Sequence, residues 1–100
     1  MARKNSQNND FLHNIRKDVT PRIYNIMVEL VNRDREDLAD HVLKIDYLLT
    51  YAANCINIKD FKEARATADR IKARLDILKE NDGLDEYLVY LYEGIVKKCK

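Results

Sequence analysis

The chain contains few of the residues that build tight turns, disulfide frameworks or membrane spans. Its 100 residues include two glycines, one proline, two cysteines and no tryptophan. Scarce glycine and proline argue against a sandwich of many short strands, and also against a flexible linker between domains. No apolar run approaches the roughly 20 residues of a transmembrane helix, and residues 1–10 lack the apolar stretch of a secretory signal. We therefore expect no membrane contact and a cytoplasmic location.

The two cysteines occupy unequal positions. Cys55 lies beside an apolar stripe, whereas Cys99 is next to the last residue, in a segment that we expect to be frayed. Such a pair indicates free thiols in a reducing compartment rather than a disulfide.

Apolar residues recur at alternating spacings of three and four, the pattern of one buried stripe on each of several packed helices. The two clearest runs are Leu38, Val42, Ile45, Leu49, Ala52 and Ile56, then Phe61, Ala64, Ala68, Ile71, Leu75 and Leu78. The pattern predicts an all-α fold, an antiparallel up-down bundle of three long helices plus an N-terminal helix, in other words a four-helix bundle.

Polar residues and one glycine mark the expected helix ends. Thr20 before the single proline predicts a capped start, Asp34 is expected to cap the second helix, and Asp60 with Glu63 resembles a capping box at the third. Gly83 is expected to take the left-handed conformation that ends that third helix. The expected helices are about 21–32, 35–57, 61–81 and 85–98, with a fourth-helix stripe of Leu84, Leu88, Leu91 and Ile95.

The predicted organisation is one domain with a short arm. Residues 1–9 are polar and expected to be a disordered N-terminal arm, and residues 10–100 are expected to form a single helical-bundle domain that starts with a short helix at about 10–17.

Catalytic chemistry finds little support in the sequence. His13 and His41 do not stand in a metal-ligand spacing, and Asp37 with His41, four residues apart, is the pattern of an ordinary surface contact. No glycine-rich phosphate loop and no nucleophile on a turn motif are present. We expect a protein that is not an enzyme and has no catalytic residue, no cofactor and no metal.

The second helix carries apolar residues on the side away from its stripe. Leu43, Tyr47 and Tyr51 lie there, and Tyr90 lies opposite the stripe of the fourth helix. A helix that is apolar on two sides is either central in its own bundle or covered by another subunit. The two interpretations carry equal weight, and the second makes these four residues a homo-oligomer interface.

The third helix concentrates basic residues. Arg65, Lys72 and Lys79 follow one another at spacings of seven, and Arg70 and Arg74 lie four apart on the outer side. Such a flank could bind phosphates of a nucleic acid. The alternative is a solvated face, because acidic residues are interleaved with the basic ones.

One segment resembles a single tetratricopeptide repeat. It spans Leu48 to Ile71 and has small residues at the positions where the paired helices of that family approach closely, namely Ala52, Ala64 and Ala68. A second copy at the same period is not found, whereas such solenoids need about three repeats. The resemblance implies a protein–protein interaction module.

A second resemblance covers about Ile23 to Lys98. A long second helix, a third helix with Ala68-Asp69 before its leucines, a glycine-containing turn and a tyrosine-bearing fourth helix are similar to a small four-helix-bundle family. That family includes proteins encoded in ribosomal-RNA intervening sequences and the accessory variability determinants of diversity-generating retroelements. The resemblance implies a homo-pentameric barrel with a basic surface, working beside a reverse transcriptase and its RNA.

From the sequence we expect a non-catalytic, homo-oligomeric accessory or adaptor protein that presents its basic helix flank to RNA or a ribonucleoprotein. The alternatives are an adaptor that receives a partner helix or peptide near Tyr47, Tyr51 and Tyr90, and a purely structural oligomer.

Overall fold

A computed structural model describes residues 19–99, and these residues form four α-helices and no strand. The helices are α1 (Pro21–Asn32), α2 (Glu36–Asn57), α3 (Phe61–Glu80) and α4 (Glu86–Lys98). The predicted all-α, four-helix fold class is therefore confirmed. The expected arm at 1–9 and the expected short helix at 10–17 lie outside the described residues.

Three of the helices begin at a side-chain cap supplied by threonine or aspartate, residue types that commonly occupy this position. In each, an oxygen of the residue before the helix accepts a backbone N–H that the first turn leaves without an intrahelical partner. Thr20 Oγ1 accepts from the Ile23 amide at 3.4 Å, Asp60 Oδ1 from the Glu63 amide at 3.2 Å, and Asp85 Oδ1 from the Tyr87 amide at 2.8 Å. The starts predicted at Thr20 and Asp60 are confirmed, and α4 begins one residue after its expected start because Asp85 is the cap.

The first three helices end in the same hydrogen-bonded turn. After α1, the Arg35 amide donates to the Leu30 carbonyl and the Asp34 amide to the Val31 carbonyl, both at 2.9 Å. This pair of bonds is the Schellman motif, which needs a residue with positive φ just beyond the helix. Asp34 takes that role with φ 64°. Helix α2 begins at Glu36 and its first amides bond to the Arg35 carbonyl, so Arg35 occupies the cap position and the prediction that Asp34 caps α2 is wrong.

The end of α3 corrects a second prediction. Asp82, with φ 55°, is the left-handed residue, and no glycine among the described residues has a positive φ. The Gly83 amide then donates to the Leu78 carbonyl at 2.8 Å, closing the motif. The left-handed conformation expected at Gly83 thus lies one residue earlier. Aspartate tolerates this conformation better than most residues with a side chain, because its short polar group can bond locally.

The described residues fall into two compact units, with the boundary inside α2 between Leu43 and Lys44. In the first unit, α1 buries the face predicted for it, and the start of α2 buries its own apolar residues. The buried residues of this unit are Ile23, Ile26, Met27, Leu30, Val31, Leu38, Ala39, Val42 and Leu43.

In the second unit, α3 and α4 pack against each other, and the predicted stripes of α2 and α3 are buried at most of their positions. The buried side chains from the helices of this unit are Ile45, Leu49, Ala52, Cys55, Ala64, Thr67, Ala68, Ile71, Leu75, Leu78, Leu88 and Ile95. Ile56, Leu84 and Leu91 are only partly buried, and Phe61 is exposed.

The two thiols are both buried, although only Cys55 was expected to lie near the core. Cys99 is 2% exposed and caps the C-terminus of α4. Its carbonyl oxygen accepts a hydrogen bond from Arg65 Nη1 at 3.1 Å. The expectation of a frayed segment at Cys99 is therefore wrong, because a cation on α3 satisfies one of the carbonyls that the end of α4 leaves open.

None of the helices within residues 19–99 combines the length and the apolar character that a membrane span requires.

Candidate interaction surfaces

One exposed apolar surface follows a side of α2 and continues just beyond its end. Tyr47 and Tyr51 are four residues apart on α2, and Ile58 follows seven residues later, one residue beyond the helix end, where it continues the same spacing. Their side chains are 51%, 45% and 74% exposed. We call this surface, Tyr47, Tyr51 and Ile58, the tyrosine face.

A hydrogen bond fixes the middle of the tyrosine face. The Tyr51 hydroxyl donates to Glu63 Oε1 on α3 at 3.2 Å. The negative charge of Glu63 raises the pKa of Tyr51 above its usual value, so the phenol keeps its proton. Glu63 is itself in the capped first turn of α3. The ring of Tyr51 is thus held in place, which lowers the conformational entropy that is lost when a partner binds it.

Leu43 does not belong to this exposed surface. Among the four residues expected at an oligomer interface, Tyr47, Tyr51 and Tyr90 are exposed, but Leu43 is only 7% exposed. The structure places Leu43 in the core of the first unit, so its apolar side chain already has a partner within the chain.

The five basic residues expected to contact phosphates have different environments. Arg65 donates to the Cys99 carbonyl, and Lys72 Nζ forms an ion pair with Asp76 Oδ1 at 2.5 Å. That hydrogen bond raises the pKa of Lys72. Arg74 is half-buried. These three cations therefore have roles or positions within the fold that reduce their availability to a ligand.

Arg70 and Lys79 are the most accessible of the five. Both are exposed, and neither forms an ion pair with another residue of the described range 19–99. Helix α3 as a whole has six basic and four acidic side chains, a net charge of +2. The basic flank is present, but it is narrower and weaker than its spacing suggested.

A shallow groove runs between α3 and α4. It contains two cavities of about 410 and 240 Å³, and Tyr92 lines both. On the α3 side, Arg65 and Asp69 line the larger cavity, and Lys72 and Asp76 line the smaller one. Basic and acidic side chains alternate along this wall, so the groove favours neither anions nor cations.

The outer side of α4 presents a second aromatic surface. Tyr90 is 70% exposed, and its ring stacks on that of Tyr87 with centroids 6.4 Å apart. Gly94 lies one turn further along the helix, and a Cβ added there would meet nothing within 4 Å.

Two expectations from the sequence concern the contact between Asp37 and His41 and the candidate metal ligands of the described residues. No cluster of three or more His, Cys, Asp and Glu side chains within 19–99 could hold a metal ion. Asp37, which the sequence placed four residues before His41, accepts two hydrogen bonds from the Arg35 guanidinium, at 3.0 and 2.9 Å. This guanidinium holds the pKa of Asp37 below its usual value.

Sequence reasoning missed two residues of these surfaces, Ile58 and Gly94. Ile58 continues the spacing of Tyr47 and Tyr51, but it lies just beyond the helix end, where a periodic pattern is not usually followed. Gly94 stood as an isolated glycine in a helical pattern, which is a signal of close packing when no turn requires it.

No protein-family model matches this chain, and no curated protein or solved structure matches it either.

Proposed function

We propose that this chain is a non-catalytic helical adaptor that binds an apolar helix or peptide of a partner protein through the tyrosine face. The observation that supports the proposal is the exposure of Tyr47 and Tyr51 on one side of α2 and of Ile58 just beyond its end, with the Tyr51 hydroxyl bonded to Glu63. Tyrosine suits such a role because its ring supplies apolar area while its hydroxyl remains hydrogen-bonded.

The size of this surface favours transient binding. A large apolar side chain contributes roughly 1.5–3 kcal/mol when it is transferred completely from water. About half of each tyrosine ring is already covered, so the three side chains together offer roughly 3–5 kcal/mol before the costs of association. Since roughly 3–5 kcal/mol corresponds to a dissociation constant near the millimolar range, we expect weak, transient binding, with micromolar affinity only for peptides that add contacts around the tyrosine face.

The test uses amphipathic helical peptides selected from a displayed library for binding to the intact chain. Tyr47→Lys and Tyr51→Lys should each weaken the selected peptides at least tenfold, because each places a charge inside the apolar contact. Ile77→Lys is the matched control, since Ile77 is also an exposed apolar residue but lies on α3. Affinity should change little between 50 and 500 mM salt.

Two results would refute the adaptor proposal. One is a selection that enriches no peptide above background. The other is peptides whose binding is equally sensitive to Ile77→Lys and to the two tyrosine substitutions.

RNA binding by the basic flank is the second candidate, and the exposure of Arg70 and Lys79 favours it. The resemblance to the ribosomal-RNA intervening-sequence family points the same way. Binding through phosphates would depend strongly on salt, and each lost contact would reduce the salt slope by about one. Arg70→Glu and Lys79→Glu together should therefore weaken binding to a structured RNA and reduce that slope by about two.

The choice of these two residues follows from the geometry. Substitutions at Lys72 would also break its ion pair with Asp76, and substitutions at Arg74 would disturb a half-buried side chain. Filter binding between 50 and 200 mM salt measures the effect. Equal binding by the wild type and the Arg70→Glu, Lys79→Glu variant would end the RNA hypothesis.

A further inference from the structure

Gly94 lies at a position where neither a left-handed backbone nor a close contact among residues 19–99 requires glycine. It lies inside α4, where glycine costs helix stability relative to alanine because it loses more backbone freedom on folding. Its φ is not positive, and a Cβ built on it would meet no atom within 4 Å. Neither the backbone conformation nor the packing of residues 19–99 therefore explains the missing side chain. An external surface that approaches the helix closely would explain it.

The residues around Gly94 form a continuous surface, which we call the α4 outer face: Tyr87, Tyr90 and Gly94. Their spacings of three and four place them on one side of the helix, beside the stripe that contains the buried Leu88 and Ile95. Tyr90 projects from this face and is 70% exposed, while Gly94, four residues later, leaves a notch. A projection and a notch one turn apart make the face complementary to itself.

We propose that the α4 outer face binds the same face of a second copy of this chain, with the two α4 helices antiparallel. A two-fold axis on the Gly94 side of α4, halfway along the helix between Tyr90 and Gly94, places Tyr90 of each copy over Gly94 of the other. The ring then fills the space that the absent side chain leaves, and the two backbones approach as closely as small residues allow.

The charges at the ends of α4 select the antiparallel arrangement. Glu86 lies in the first turn and Lys97 in the last, and both flank the outer face on the same side. With the helices antiparallel about that axis, Glu86 of each copy lies opposite Lys97 of the other. A parallel pair would place Glu86 of the two copies at one end of the contact and Lys97 of the two copies at the other end, so neither residue would lie opposite a charge of the other sign. Opposed helix dipoles favour the same orientation.

The contact is small, so the dimer should be transient. A helix of 13 residues is about 20 Å long, and one helix-to-helix contact of that length buries less than the roughly 800 Å² per partner of a typical stable interface. We expect a dissociation constant in the range of tens to hundreds of micromolar.

Sedimentation equilibrium of the full chain between 5 and 500 µM tests the inference. Gly94→Leu should abolish dimerisation, because its side chain fills the notch, while circular dichroism shows an unchanged or more stable fold. Tyr90→Ala should weaken the dimer at least tenfold. Tyr47→Lys is the control and should leave dimerisation unchanged, which keeps this result separate from peptide binding by the tyrosine face.

A charge exchange tests the orientation. Glu86→Lys and Lys97→Glu should each weaken the dimer severalfold, and the double variant Glu86→Lys, Lys97→Glu should restore it. The inference is overturned by a chain that stays monomeric at 500 µM, by a dimer that tolerates Gly94→Leu, or by a double variant that is no better than either single one.

Discussion

At the scale of single residues, three side chains occupy a backbone conformation that usually belongs to glycine. Asp34, Lys59 and Asp82 have φ values of 64°, 63° and 55°. Each is the residue that turns the chain out of a helix, and each lets two amides reach carbonyls of the last turn. Lysine at this position has no side-chain bond to offset the steric cost that the left-handed conformation imposes on a residue with a Cβ.

Lys59→Gly should therefore stabilise the fold by roughly 0.5–1 kcal/mol, since glycine adopts this conformation without that cost. Lys79→Gly, in the last turn of α3, should instead destabilise the fold, because glycine loses more backbone freedom than lysine when it takes a helical conformation. Thermal denaturation of the two variants measures both effects. The interpretation fails if the two substitutions shift the melting temperature in the same direction.

Asp46 is a carboxylate whose environment opposes its charge. Partial burial on α2 raises the pKa of Asp46 above its usual value. The folded state therefore holds this proton more tightly than the unfolded chain does, and that contribution to stability disappears as the pH rises through the folded pKa. Asp46→Asn should raise the melting temperature at pH 7, and the gain should shrink toward pH 3.

Asp37 is a suitable control, because its pKa is shifted in the opposite direction to that of Asp46. The Arg35 guanidinium lowers the pKa of Asp37, so its contribution is present above the unfolded pKa and is lost as the pH falls through the folded one. Asp37→Asn should therefore lower the melting temperature slightly at pH 7 and have no effect near pH 2. Melting curves at pH 2, 3, 5 and 7 for both variants compare the two profiles.

At the scale of helices, side-chain caps set the starts and Schellman turns set the ends. Asp60 takes part in both a Schellman turn and a side-chain cap. Its amide donates to the Cys55 carbonyl at 2.8 Å, and its carboxylate accepts a hydrogen bond from the Glu63 amide. The residue therefore completes the end of α2 and the start of α3 together.

Replacing Asp60 should show how much this cap contributes to the free energy of unfolding. Asp60→Ala removes the side-chain acceptor and should cost about 1 kcal/mol of stability, whereas Asp60→Asn keeps an acceptor and should cost much less. Urea denaturation of both variants gives the comparison. A loss of equal size in both would mean that the charge, rather than the hydrogen bond, matters.

The helices were predictable from sequence to within one or two residues, because periodicity and capping are local signals. The starts of α1 and α3 were predictable because Thr20, before the single proline, and Asp60, three residues before Glu63, stand in patterns typical of a helix cap. The residues in the left-handed conformation were harder to predict, because aspartate is common both at helix caps and in turns. Only the hydrogen bonds reveal that Asp34 ends one helix rather than beginning the next.

The interaction surfaces were only partly predictable for a different reason. Periodicity showed that Tyr47, Tyr51 and Tyr90 lie away from the stripes, but it could not show that Leu43 is buried. It also could not show that Arg65 and Lys72 already have partners, because those contacts depend on where the carbonyl of Cys99 and the carboxylate of Asp76 lie in space.

At the scale of the whole molecule, stability depends on the stripes. Leu78 is fully buried, whereas its neighbour Ile77 is 36% exposed. Leu78→Ala should cost about 2–5 kcal/mol, because it removes apolar contacts and leaves a cavity. That is a large part of the roughly 5–15 kcal/mol typical of a small domain.

Ile77→Ala, one residue away, should cost less than about 1 kcal/mol. Equilibrium unfolding in urea measures both variants, and each should keep the slope of the wild type. Comparable losses at the two positions would show that the buried stripe of α3 has been assigned to the wrong face.

The turn between α2 and α3 has a mechanical consequence. A hinge needs at least one residue whose dihedral angles can change without breaking other bonds. Here Lys59 is fixed in its left-handed conformation, and Asp60 is bonded toward both helices. Bending at this point would break the last turn of α2 and the first turn of α3 at once. The two helices should therefore open together, so that the amides of Asp60 and Glu63 exchange their hydrogens with solvent at the same free energy.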